Sequence, residues 1–169
     1  SSSTGGASPR SGPRTARSSS STWQRTTARP GTWACSTRRW PSAAARTVTE
    51  AIGTAGGQAL AVQTDVGCED QVDTLFAAVE RAFGPVTLLV NSAGLNMSGV
   101  PLAKMALAQF ERVLHADLYG PFLTCRRFVR GLEGKDIGGR IVNISSIHER
   151  APRPGGADYD AAKGGLAQL

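Results

Sequence analysis

From Ala43 onward, apolar residues recur with two alternating periods. Ala43–Thr54 suits a helix ended near Gly56–Gly57. Ala59–Gln63 reads as a short apolar strand leading into Thr64, Asp65 and Val66. In Glu69–Phe83, the residues Val72, Leu75, Phe76, Val79 and Phe83 fall on one helical stripe, with Asp73, Glu80 and Arg81 off it. Gly84–Pro85 breaks that helix. Val86–Val90 and Gly139–Ile144 are continuous apolar runs, the pattern of strands buried in a parallel sheet. Leu107–Leu132 predicts a helix with a kink or irregularity at Gly120–Pro121, and Ala157–Leu169 begins a further helix. Helix and strand in alternation predict an α/β fold, a parallel sheet with helices on both faces.

Residues 1–42 follow another grammar. Ser1–Ser3 and Ser18–Ser21 are serine runs, and Gly, Pro, Arg, Ser and Thr dominate without apolar periodicity. Read literally, this is a disordered basic arm, followed by a domain over residues 43–169. The charge is distributed accordingly. The formal net charge is +6, yet residues 1–47 hold eight arginines and no acid, while the rest holds eleven basic and thirteen acidic residues. The basicity belongs to the first segment, which lacks interleaved aromatics, so nucleic-acid binding is not expected. No apolar run is long enough to span a bilayer and no secretory leader is visible. Cys35, Cys68 and Cys125 have neither metal-ligand nor disulfide-framework spacing. The expectation is a cytoplasmic protein without a metal.

The strongest chemical signal is Tyr159-Asp160-Ala161-Ala162-Lys163. Tyr and Lys four apart share one face of a helix. An ammonium beside a phenol favours the phenolate, which makes a general acid/base usable near neutral pH. The pair alone is commonly a surface contact. Thirteen residues before Tyr159, at the end of a predicted strand, stands Ser146, with Ser145 before it. Strand carboxyl ends are where open α/β sheets place ligands, and a hydroxyl there can bond an oxygen that gains negative charge. Asn91-Ser92-Ala93-Gly94 ends another strand, with small residues that let a ring approach closely. Asp65-Val66 follows a third; its carboxylate could accept from an adenine amino group, or merely cap the next helix.

Together with Asp117-Leu118-Tyr119-Gly120, these motifs resemble the short-chain dehydrogenase/reductase family over roughly residues 43–169. The resemblance implies a Rossmann-type doubly wound parallel sheet, here incomplete. It implies hydride transfer between NAD or NADP and an alcohol or carbonyl, with NAD slightly favoured. Tyr159 would be the general acid/base. Lys163 would favour its anionic form and hydrogen-bond the nicotinamide ribose. Ser146, rather than Ser145, would hold the substrate oxygen. Asp65 and Val66 would border the adenine, and Asn91, Ala93 and Gly94 would line the cofactor cleft. Asp117 stands where the family usually has an asparagine that fixes a water in a proton relay; ionised, it cannot donate a hydrogen bond. Ser145-Ser146-Ile147-His148-Glu149, with Gly120-Pro121-Phe122-Leu123 upstream, is similar to the glucose 1-dehydrogenase-like branch, which points to a sugar or polyol. The intact parent is expected to be a homo-oligomer. The alternative is a non-catalytic binding protein on the same fold.

The family's glycine-rich phosphate turn is not intact. Thr4-Gly5-Gly6-Ala7-Ser8 starts it, but Pro9 and Ser11 stand where glycines belong. Residues from about Ser8 to about Ser42 read as translated out of frame. In the shifted register their codons permit an apolar second strand ending in an acid near Thr37. The expectation is a chain poorly folded over residues 1–42 and inactive or nearly so.

Overall fold

The computed structural model describes residues 24–25, 33–34, 42–97 and 99–169. The interrupted glycine turn lies outside them. Within the N-terminal segment, β1 (Gln24–Arg25) and β2 (Trp33–Ala34) pair antiparallel, a ladder that the expectation of a disordered arm did not include.

Helix α1 spans Ser42–Thr54 and helix α2 spans Glu69–Phe83. Glu69 and Asp70 occupy the first turn of α2 and Arg81 its last, each favourable to the helix dipole. Gly84, at φ +83°, ends the helix and bonds the Glu80 carbonyl. Val72 and Phe76, from the predicted stripe, are buried, whereas Phe83 at its end is 47 % exposed. Ala59–Gln63 does not form a strand. A strand exists only through a ladder with a neighbour, and none of the described residues pairs with it.

Strands β3 (Leu88–Asn91) and β4 (Arg140–Asn143) run parallel, with Leu88 opposite Arg140 and Asn91 opposite Asn143. Both are shorter than the apolar runs that predict them. Strand β3 is covered on one face, where Leu89 packs against the cluster of Val72, Phe76 and Phe128. Ile141, its partner on β4, and Val142 are exposed, so the apolar run Gly139–Ile144 is not buried as its pattern predicts. Leu88 and Val90, on the opposite face, remain exposed, contrary to the buried reading. This two-stranded parallel ladder with its flanking helices is an incomplete doubly wound α/β layout.

Between the strands lie helix α3 (Leu107–Leu114), a π-helical turn (His115–Tyr119) and helix α4 (Gly120–Leu132). The predicted irregularity is real, but it sits one turn before Gly120–Pro121. Pro121 has no N–H for the carbonyl of Asp117, four residues back, and its ring would crowd that oxygen. The chain widens instead, and the Gly120 N–H bonds the His115 carbonyl five residues back. Helix α4 lies against α2 through Phe76 and Phe128, flanked by Arg127 with Glu80 (2.7 Å) and by an Arg126–Glu69 ion pair. Helix α5 (Ala157–Leu166) ends three residues short of the expected Leu169. Its buried Ala162 and Leu166 face the helical layer to which the fully buried Val113 of α3 belongs.

Candidate active site

The π-turn turns Asp117 inward, where it is fully buried. One carboxylate oxygen, Oδ1, accepts the Leu95 N–H at 2.6 Å. The other, Oδ2, lies 3.3 Å from Nζ of Lys163, an ion pair whose geometry falls short of a well-directed hydrogen bond. A Cβ on Gly94 would stand 2.8 Å from Oδ2, so the turn after β3 closes on the carboxylate only because residue 94 is glycine. Burial pushes the Asp117 carboxyl above the usual carboxylate range; the Leu95 amide and the Lys163 ammonium pull it back, and the charge of Asp158 adds to the rise.

Lys163 is 5 % exposed and also donates to the Ile144 carbonyl at 3.2 Å. Its ammonium therefore sits at the carboxyl end of β4, among Ile144, Asp117 and, at 5.5 Å from the ring centre, Tyr159. Tyr159 is half-buried, one helical turn earlier on α5. Arg153 lies 5.7 Å from its ring centre, and the His148 ring stands edge-on at 6.3 Å. Ser146 caps the short 3₁₀ turn Ile147–Glu149, its Oγ accepting from the His148 N–H at 3.2 Å. That contact fixes the oxygen and leaves the hydroxyl proton to donate elsewhere. The Ser145 hydroxyl is buried without a hydrogen-bond partner among the described residues. His148, Glu149, Arg153 and Leu102 line an open cleft of about 510 Å³.

The remaining candidates are distributed differently. Ala93 and Gly94 are exposed beyond β3. The Asn91 side chain is engaged inside the fold: Nδ2 donates to Asn143 Oδ1 at 2.9 Å, and Oδ1 accepts from Thr124 at 2.8 Å. Cys125 completes this group, its thiol pushed up by burial while Asn91 and Asn143 oppose the rise. Asp65 folds its carboxylate back onto the Gly67 N–H at 3.0 Å, a turn ahead of α2 rather than the helix cap its sequence also allows, since Cys68 stands at the N-cap. Val66 packs so closely on Gly120 that a Cβ there would stand 2.7 Å away.

Two participants were not singled out from sequence. The Leu95 amide is invisible to a reading of side chains. Asp158, fully buried, accepts from Gln109 Nε2 at 2.8 Å and so ties the start of α5 to α3. An acid in the first turn of a helix reads as dipole compensation, which hides such a role.

A sequence model described as short chain dehydrogenase matches residues 25–169. The chain belongs to the short-chain dehydrogenase family. Among similar proteins is 3beta-hydroxysteroid dehydrogenase 1 of Eggerthella lenta, 40 % identical over 125 residues, covering 74 % of this chain and 48 % of that protein. Glucose 1-dehydrogenase 2 of Bacillus subtilis is 32 % identical over 129 residues, 76 % of this chain and 50 % of that one. A crystal structure of a metagenomic short-chain oxidoreductase in complex with NADP superposes with a TM-score of 0.69 at 34 % identity, covering 74 % of this chain and 56 % of that chain. The chain spans about half the length of the curated relatives it matches. The fold is therefore an incomplete Rossmann domain of an oxidoreductase family that uses a nicotinamide cofactor. Among the described residues, no helix is long and apolar enough to cross a membrane.

Proposed function

We propose that this site serves hydride transfer between NAD or NADP and a small alcohol or carbonyl, with Tyr159 as general acid/base. The observation that carries the reading is the placement of Lys163: buried, anchored on the Ile144 carbonyl, and directly beneath the ring of Tyr159. A bound nicotinamide dinucleotide supplies or accepts the hydride. Two features of the chain fit such a group: the ends of two parallel strands open side by side, and Ala93 and Gly94 offer it a small, exposed edge. Asp65 and Val66 border the adenine, Asn91 shapes the cleft floor from below, and Lys163 has a further N–H for a ribose hydroxyl.

Tyr159 exchanges a proton with the substrate oxygen. Ser146, held by the His148 amide, donates to the same oxygen as charge develops on it. Asp117 fixes the ammonium of Lys163 and takes the relay position. The cleft beside His148 and Glu149 suits the hydroxyls of a sugar or polyol, and the Ser145–Glu149 segment favours that class. NAD is the slightly favoured cofactor. The 169-residue chain is expected to turn over slowly if at all, because Pro9 and Ser11 interrupt the phosphate turn.

The test compares this chain with a version extended to the length of its relatives and given an uninterrupted glycine turn. Each is assayed for NAD- and NADP-dependent oxidation of glucose, other polyols and a hydroxysteroid. Tyr159→Phe should remove turnover by at least about a hundredfold and leave nucleotide binding within about threefold. Binding without turnover in the unsubstituted extended chain would favour the non-catalytic alternative.

A further inference from the structure

Asp117 brings a charge to a position where an amide would serve the Leu95 contact equally well. An amide oxygen could accept the Leu95 N–H, but it would place no negative charge beside Lys163. A carboxylate removed from water stays ionised only if it is paired. Among the described residues, Asp117 has one such cation, Lys163 at 3.3 Å, and one backbone donor, Leu95 at 2.6 Å. Against its charge stands Asp158, also buried and also on α5. The turn at Gly94–Leu95 contributes no charge. The ionised state is thus finely held, and it depends on the same ammonium that lies beneath Tyr159.

Building on the proposed function, we propose that Asp117 is a positioning residue that makes the Tyr159–Lys163 site sensitive to proton concentration. Ionised, it holds the Lys163 ammonium and the Leu95 amide together across three segments: the turn after β3, the π-turn and α5. Protonated, it keeps Leu95 and loses its hold on Lys163, which is left with the Ile144 carbonyl. Because burial raises the Asp117 carboxyl, the change occurs nearer neutral pH than for an exposed aspartate.

The decisive measurement needs neither nucleotide nor turnover. The chain is labelled at aspartate side-chain carbons, and carboxyl resonances are followed by NMR against pH, with Asp117→Asn giving the assignment. The Asp117 resonance should titrate above the exposed aspartates. Lys163→Met should raise its midpoint by about 1 pH unit or more, while Lys163→Arg, which keeps the charge, should restore it. A midpoint unmoved by Lys163→Met, or at the level of the exposed aspartates in the parent, overturns the proposal. If Lys163→Met does not fold, Lys163→Gln removes the charge while keeping a polar end of similar reach and carries the same two outcomes.

Urea unfolding provides a second measurement. Asp117→Asn should stabilise the Lys163→Met background more than the parent at pH 7, by at least about threefold in the unfolding constant. Equal effects in the two backgrounds would mean that the charges are not coupled. Nucleotide affinity then separates this inference from the reading it rests on. In a binding-competent chain, NADH affinity should vary with the Asp117 midpoint and lose that variation in Asp117→Asn. Absent binding counts against the proposed function and leaves the NMR result standing. Binding that ignores the Asp117 midpoint refutes control of the site.

Discussion

Lys163 Nζ lies 3.3 Å from Asp117 Oδ2, with both side chains withdrawn from solvent. One partner comes from a π-turn that Pro121 imposes on a long helix, the other from α5, four residues after Tyr159. The contact joins a helix defect to the candidate site, and its supports can be removed singly.

Gly94 is the first support. Its missing side chain is the space that Asp117 occupies, since a Cβ there would meet Oδ2 at 2.8 Å. Gly94→Ala should push the carboxylate off Lys163 or draw the Leu95 amide away from it. The expected destabilisation is about 1–3 kcal/mol by urea unfolding at pH 7. It should shrink in an Asp117→Ala background, where the obstruction is gone; an undiminished loss would place the clash elsewhere.

The core supports a sharper contrast. Phe76 is 4 % exposed and packs with Val72 and Phe128, whereas Phe83 is 47 % exposed although both belong to one predicted stripe. Phe76→Ala should cost about 3–5 kcal/mol, and Phe83→Ala less than about 1 kcal/mol. Similar losses at the two sites would mean that the end of α2 is covered in solution.

That contrast shows how far the pattern of residues could be read. Helix α2 was legible residue by residue because its period is local, but how deeply each position sinks depends on what lies opposite. Tyr159 and Lys163 were legible because a separation of four fixes a shared helical face. The approach of Asp117 to Lys163 was not, because it joins segments 46 residues apart in the sequence through a turn whose position is set by Pro121. Gly120–Pro121 marked an irregularity, yet the ring acts on the carbonyl four residues earlier, and there the helix widens. Ala59–Gln63 has the composition of a strand, but composition does not supply a partner. Asn91 stood at the expected strand end while its side chain turned into the fold, a choice made by Thr124 and Asn143, which no local motif announces.

His115, in the same π-turn, makes stability depend on pH. Burial pushes its imidazole below the usual range, with Glu111 and Asp65 opposing. The folded chain therefore favours the neutral ring. Its contribution is complete above the unfolded value near 6.5 and is lost as pH falls through the lower folded value. His115→Gln should flatten the unfolding profile just below pH 6.5, measured at constant ionic strength. An unchanged slope there would show that the imidazole is as well solvated folded as unfolded.

The last prediction concerns the strand end beneath the site. Asn91 receives the Thr124 hydroxyl and donates to Asn143, so one side chain satisfies groups on α4 and β4 at once. Thr124 is 3 % exposed; without Asn91 its hydroxyl falls back on the Gly120 and Pro121 carbonyls of its own helix, at 3.1 and 3.0 Å, while the Asn143 oxygen loses its donor. Asn91→Ala should therefore cost about 1–3 kcal/mol. Thr124→Val removes the hydroxyl but keeps the shape, so the double variant should lose less than the sum of the singles by at least about 0.5 kcal/mol. Cys125 reports on the same group: losing the Asn91 N–H removes a contact that stabilises its thiolate. Alkylation of Cys125 at pH 8 should accordingly slow in Asn91→Ala. Faster alkylation would mean that the variant opens the strand end to reagent, and the network would then act as a closure between β3 and α4 rather than as a set of satisfied bonds.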